Sequence, residues 1–228
     1  MKRWSADGAI VTEPTDLAIA VGHKGFAWVE VTVHGRAAHG SRPSEGLDAI
    51  LRLGRVLGRL EALDRALQER PAHPLVGTGS LHASIVSGGR ELSSYPERAM
   101  LQFERRTLPG ESEMTAIEEV QEILGALARD DSTFRAEARH IFSRPAHEVP
   151  RDHELPRSLS AALLAAGGTP RVVGASFWTD AAILGRAGIP AILFGPGGAG
   201  LHSTEEYVEV ADVLLCRDGL VELAMAWC

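Results

Sequence analysis

Four short stretches hold side chains suited to chemistry. In "FGPGGAGLHSTEEYV", residues 194–208, His202 follows a glycine-rich hinge, and Glu205 and Glu206 stand three and four positions later. The hinge follows the apolar run "IPAILFG", and crevices for ligands open at the C-terminal ends of strands in parallel α/β sheets. Taken alone, His202 reads either as a capping or solvated histidine or as a metal ligand. Glu13, in "VTEPT", sits at the tip of another apolar run, just before Pro14. By itself it is a surface carboxylate ahead of a turn. As a pair, an imidazole and a carboxylate at two strand ends are ligand types that Zn²⁺ takes at roughly 2.0 to 2.2 Å.

The other two stretches carry a histidine and an arginine pair. "GRAAHGSRPSEG", residues 35–46, presents His39 in a loop, and its small neighbours Ala37, Ala38, Gly40 and Ser41 let another surface approach the ring. His39 is either a stabiliser of its own turn or a proton or hydrogen-bond donor to a substrate. Arg105 and Arg106 end a strand-like run before "TLPG". A guanidinium at a strand end can clamp a carboxylate with two parallel hydrogen bonds. The alternative is a solvated face, and one of the two is expected to be solvated.

The bulk composition bounds these readings. With 228 residues, 45% of them hydrophobic and 23% charged, the chain can bury a core as one large domain or two small ones. A formal charge of −7 with dispersed arginines argues against a nucleic-acid partner. Only Cys216 and Cys228 are present, a spacing that suits neither a disulfide framework nor a thiolate zinc site, so a reducing cytoplasm is the expected location. No apolar run has the length of a membrane span or a signal core, so no membrane partner is expected.

The elements that must position these residues follow from periodicity. "GAIVTEP", residues 8–14, reads as a short buried strand ending at Glu13, and its place so near Met1 suggests that a preceding part of a sheet is missing. From Phe26 the residues alternate, Val29, Val31 and Val33 against Glu30, Thr32 and His34, which is a half-buried strand. "LDAILRLGRVLGRLEALDRAL" has the three- and four-residue spacing of an amphipathic helix. Two strand-like runs, a helix over residues 114–130 and a further strand complete the order β-α-β-β-α-β over residues 23–141. That order describes two helices on one face of a four-stranded antiparallel sheet. After a proline-rich connector, strands and helices alternate to the end, the signature of a mainly parallel sheet. The chain therefore reads as a small α+β domain inserted between two pieces of one α/β domain.

In this order and spacing, "VTEPT", "GHKGFAWVEVTVHGRAAHGSRPSEGLDAI", "SSYPERAMLQFERRTLPGES", "FWTDAAIL" and "GIPAILFGPGGAGLHSTEEYV" resemble the zinc-dependent aminoacylase family of metallopeptidases. That family includes acetylornithine deacetylase and succinyl-diaminopimelate desuccinylase. The resemblance covers essentially the whole chain, as the C-terminal part of such a protein. It implies an α/β fold: an incomplete mixed-sheet catalytic domain, with its truncated first piece at residues 1–22 and its second at 142–228. A ferredoxin-like βαββαβ dimerisation or lid domain occupies 23–141 between them. It implies hydrolysis of the amide bond of N-acyl amino acids or small peptides, two Zn²⁺ per complete site with Co²⁺ as an alternative metal, and a homodimer through the inserted domain. By the same resemblance Glu13 is a ligand of one zinc and His202 of the other. His39 is the oxyanion donor, reaching across the dimer. Arg106 holds the substrate carboxylate, with Ser93 and Gly197 also at the substrate.

Departures from the family pattern are equally specific. His23 and Lys24 stand where the desuccinylases have an arginine, and Ser93 where they have an asparagine, which favours a monoanionic N-acyl amino acid over succinyl-diaminopimelate. The family's H-x-D pair, bridging aspartate and adjacent glutamates would precede the "EPT" segment, where this sequence has twelve residues. The chain alone is therefore expected to be inactive. A non-catalytic dimerisation or binding module is the alternative, and a ferredoxin-like small-molecule sensor would explain only residues 23–141.

Overall fold

The computed structural model describes residues 5–227, so Cys228 lies outside the described residues. In chain order the first elements are β1 (Ala9–Val11), β2 (Ile19–His23), β3 (Gly25–His34), α1 (Ala49–Glu69), β4 (Ser80–Gly88), β5 (Arg98–Thr107), α2 (Thr115–Asp130) and β6 (Arg135–Arg144). There follow β7 (His147–Glu148), α3 (Glu154–Ala165), β8 (Val172–Ala175), α4 (Ala181–Arg186), β9 (Ala191–Leu193), β10 (Gly198–Ala199), β11 (Tyr207–Val208) and α5 (Val210–Trp227). Two compact units result. One comprises the chain up to Lys24, His73–Gly77 and the chain from Ala146 onward; the other comprises Gly25–Ala72 and Thr78–Pro145.

The second unit is the βαββαβ fold. Its sheet order is β4-β5-β3-β6, every neighbouring pair antiparallel. Alternation decides which face is covered. Ala27, Val29, Val31 and Val33 of β3 join Leu101 and Phe103 of β5 in a core closed by Leu53, Val56 and Leu60 of α1 and Val120 and Leu124 of α2. Asp48 caps α1, its carboxylate accepting from the Leu51 N–H at 2.9 Å. A helix start is where such a cap satisfies an otherwise unpaired donor.

The same alternation places Arg105 on the covered face, and here the expectation of a solvated arginine fails. Arg105 is fully buried, donating to Glu111 at 3.0 Å and to Glu119 at 3.1 Å. Burial works against its charge, and the two carboxylates more than restore it. Its neighbour Arg106, one step along the strand, points to the opposite face, its own side chain only 19% exposed.

The first unit is a mixed sheet, not a mainly parallel one. Its path is β1-β9-β2-β7 with β8 also on β2; β1 runs parallel to β9 and β2 parallel to β8, whereas β2 is antiparallel to β9 and β7. All five residues of β2 are buried. One sheet face packs Ile19, Val21, Ile192 and Phe194 against Leu159 and Leu163 of α3 and Leu223 of α5. The other packs Ala20, Ala191 and Leu193 against Ala181 of α4. The strand expected to end at Glu13 stops at Val11, and the Glu13 N–H turns back to the Val11 carbonyl at 3.0 Å. Among the described residues, no helix is long and apolar enough to cross a membrane.

Candidate functional site

In the first unit the Glu13 turn and the glycine hinge meet. A cavity of about 290 Å³ is lined by Glu13, Asp16, Gly197, Leu201, Glu206 and Tyr207, among others. The two chain segments are laced together: Gly195 N–H donates to Thr15 Oγ1 at 2.9 Å, and Leu17 N–H to the Gly195 carbonyl at 2.9 Å. Position 195 has no room for a side chain, because a Cβ there would collide with the Glu13 carbonyl oxygen. Gly197 is similarly confined between the carboxylates of Asp212 and Asp16. Three non-glycine residues with positive φ, Asp16, Leu17 and His202, belong to these same two segments. Such conformations persist where the surroundings over-determine them, and they concentrate at functional sites.

His202 sits in the loop of the small β10-β11 hairpin, exposed, with its N–H donating to Glu206 at 3.2 Å. It shares the hairpin loop with two residues of the Glu13 cavity, Leu201 and Glu206, without lining the cavity itself. The donor types suit zinc but their number does not. Among the described residues, no three His, Cys, Asp or Glu side chains group so as to hold a metal ion, against the three protein ligands usual in catalytic sites. Cys216 is buried on α5, and burial pushes its thiol up to about 11.

In the second unit, His39 and Ser93 come together on adjacent loops. Gly40 N–H donates to the Ser93 carbonyl at 2.7 Å, and Tyr95 N–H to Ala38 at 2.8 Å. Gly46 lets the Tyr95 ring lie against the backbone, where a Cβ would clash. The exposed His39 ring accepts from the Ser41 N–H at Nδ1, 3.2 Å, with the Ser41 hydroxyl also at 2.8 Å. A neutral imidazole accepting at Nδ1 carries its proton on Nε2. The loop thus presents Nε2 as a hydrogen-bond donor.

Arg106 lies at the other end of this sheet. It pairs in register with Phe26, whereas the His39 loop leaves β3 after His34, which pairs with Arg98. Eight strand residues separate the two ends, roughly 26 Å at 3.3 Å per residue. The Arg106 Nη1 donates to Glu104 at 3.3 Å, and its Cζ stands 5.8 Å from the Phe26 ring centroid.

Two groupings escaped the sequence reading. His23 is fully buried, its ring 5.6 Å from that of His147 and 6.3 Å from that of Trp178, with Nδ1 2.9 Å from the Lys24 carbonyl. Burial holds the His147 pKa below 6.5 despite its bond to the Ala191 carbonyl at 2.7 Å. These residues come from three distant segments, so nothing in local periodicity announces them. The second grouping is aromatic: Phe26, Trp28 and Phe142 on the face of the βαββαβ sheet opposite its helices.

Comparison with known proteins gives concordant findings. Residues 21–132 match the Peptidase dimerisation domain. The chain is 31% identical to an acetylornithine deacetylase of Myxococcus xanthus over 226 residues, covering 96% of this chain and 57% of that protein. It is 32% identical to a putative succinyl-diaminopimelate desuccinylase DapE of Mycobacterium tuberculosis over 217 residues, covering 94% of this chain and 57% of that one. Among solved structures, a tripeptidase of Staphylococcus aureus superposes with a TM-score of 0.82 at 18% identity, covering 97% of this chain and 57% of that one. The chain thus spans a little over half the length of the relatives it matches.

Proposed function

Because the chain belongs to the M20 peptidase family, and carries its dimerisation domain, we propose that it is the dimer-forming part of a metal-dependent amidohydrolase. The substrate class is N-acyl amino acids or small peptides, attacked at the amide bond. His39 Nε2 donates to the developing oxyanion, a contribution typically worth about 3 kcal/mol for one such donor. Arg106 holds the substrate carboxylate, Ser93 and Gly197 border the substrate, and Glu13 and His202 each give one ligand to a zinc pair. A metal bound there would polarise the amide carbonyl and acidify water. Two donors do not make such a site, so the remaining ligands and the general base come from sequence beyond these 228 residues.

One observation carries the reading. Arg106 pairs with Phe26 at one end of β3, and the His39 loop leaves β3 at the other end, beyond His34, a strand rise of roughly 26 Å away. A small substrate cannot touch both within one chain, whereas two chains related by a twofold axis can bring one of each together. The surface of the βαββαβ unit favours such pairing. Edge strand β4 exposes Ile85 and Val86, and α1 exposes Ile50 and Leu51, with open space over Gly54 and Gly58. An uncovered apolar edge strand is a template for another chain.

The test is zinc stoichiometry with turnover of an N-acyl amino acid panel, on the 228-residue chain and on a version extended by the in-frame coding sequence before Met1. The proposal expects neither tight zinc nor turnover for the first and both for the second. An extended chain with neither favours a non-catalytic dimerisation module.

A further inference from the structure

The face of the βαββαβ sheet opposite its helices carries a ledge of three rings between two guanidiniums. Ring centroids lie 5.2 Å apart for Phe26 and Trp28, 5.6 Å for Trp28 and Phe142, and 6.0 Å for Phe26 and Phe142. In register, Phe26 stands between Arg106 of β5 and Arg144 of β6, and Trp28 between Glu104 and Phe142. The Arg144 Cζ lies 4.2 Å from the Phe142 ring centroid, and Arg106 stands on the other flank over Phe26. Trp28 is 42% exposed, its indole N–H held by Glu104 at 2.8 Å.

Two features make this more than a stacked surface. Solvent reaches a large indole fixed in place by the Glu104 carboxylate and its two neighbouring rings, so its π-face is pre-organised for stacking. Cationic groups also border the rings: Arg106 and Arg144 flank Phe26 in register, and Arg106 is linked to the Glu104 carboxylate that holds the Trp28 indole. Adjacent strands lie about 4.8 Å apart, close to the reach from an α-carboxylate to a side-chain ring within one amino acid. An occupant with a carboxylate beside Arg106 would lay an aryl arm over Phe26 and Trp28.

We propose that the Phe26, Trp28 and Phe142 ledge selects, for the carboxylate held by Arg106, substrates that carry an aromatic side chain. This rests on the amidohydrolase reading and narrows it to N-acyl aromatic amino acids. The experiment measures binding rather than turnover, so it can fail while that reading stands. The purified chain is titrated calorimetrically with N-acetyl-L-phenylalanine, N-acetyl-L-alanine and N-acetyl-L-phenylalaninamide. N-acetyl-L-phenylalanine is expected to bind about tenfold more tightly than either of the others. Trp28→Ala removes the advantage over the alanine compound, Arg106→Gln removes the advantage over the amide, and Trp28→Tyr keeps both. Should Trp28→Ala fail to fold, Phe142→Leu reads the same loss. Equal affinities for the three compounds, no binding of any, or a preference that survives Trp28→Ala would overturn the proposal.

Discussion

Gly195→Ala is the sharpest probe of how the first unit holds Glu13. The Cβ is rigidly attached to the backbone, and at position 195 it would stand well inside 3.0 Å of the Glu13 carbonyl oxygen. Relief requires the hinge and the Glu13 turn to separate by about 1 Å, and overpacking of this kind costs about 1 to 3 kcal/mol. Separation also strains the bonds between the two segments, Gly195 N–H to Thr15 Oγ1 and Leu17 N–H to the Gly195 carbonyl, both 2.9 Å. Each is worth about 1 kcal/mol, which gives a total of about 3 kcal/mol with one of them lost. Hydrogen exchange by mass spectrometry reads each unit by itself. The opening free energy of Ala191–Leu193 should fall by that amount, while β3 and β5 keep theirs. A fall below about 0.5 kcal/mol, the scale of a neutral surface change, would refute the reasoning.

Arg105→Met should cost about 3 to 5 kcal/mol in urea denaturation, because it strips the cation from two partly buried carboxylates. Adding Glu111→Gln and Glu119→Gln should return at least half of that; a near-wild-type single variant would contradict the buried network. Because burial lowers the His147 pKa, the unfolded chain protonates this residue first as pH falls through 6.5. Its contribution to stability is therefore complete above 6.5 and is lost as pH falls toward its folded value. Thermal melts of His147→Gln should lose that part of the pH slope, and an unchanged slope would exclude His147 as its source. Leu51→Glu with Ile85→Lys should turn a dimer into a monomer by sedimentation equilibrium, whereas a dimer that persists would move the interface elsewhere.

How much was legible depends on how far apart the informative residues lie. The βαββαβ unit shows in the sequence because alternation in β3 and β5 and the helical spacing of α1 and α2 are each local signals. Strand β2 gives none: all its residues are buried, so no period separates it from a loop, and β7 has only two residues. Which of Arg105 and Arg106 turns inward was not legible, because the Arg105 partners Glu111 and Glu119 follow in a turn and a helix, and only the strand's phase places it inside. His39 and Arg106 stand out in the sequence as candidates by type and motif. That they lie at opposite ends of a sheet follows only from the register between β3 and β5. The aromatic ledge depends on pairing Trp28 with Phe142, a match between the first and last strands of the unit.

The central claim is that His39 of one chain and Arg106 of its partner serve the same substrate. Turnover of N-acyl amino acids by mixtures of His39→Ala and Arg106→Ala chains, each extended by the in-frame sequence before Met1, tests it directly. Each variant alone should be nearly inactive. After random reassortment into twofold dimers, half are mixed and each mixed dimer holds one intact site, so activity should return to about a quarter of wild type. A mixture as inactive as its parents, with subunit exchange verified, would contradict the account.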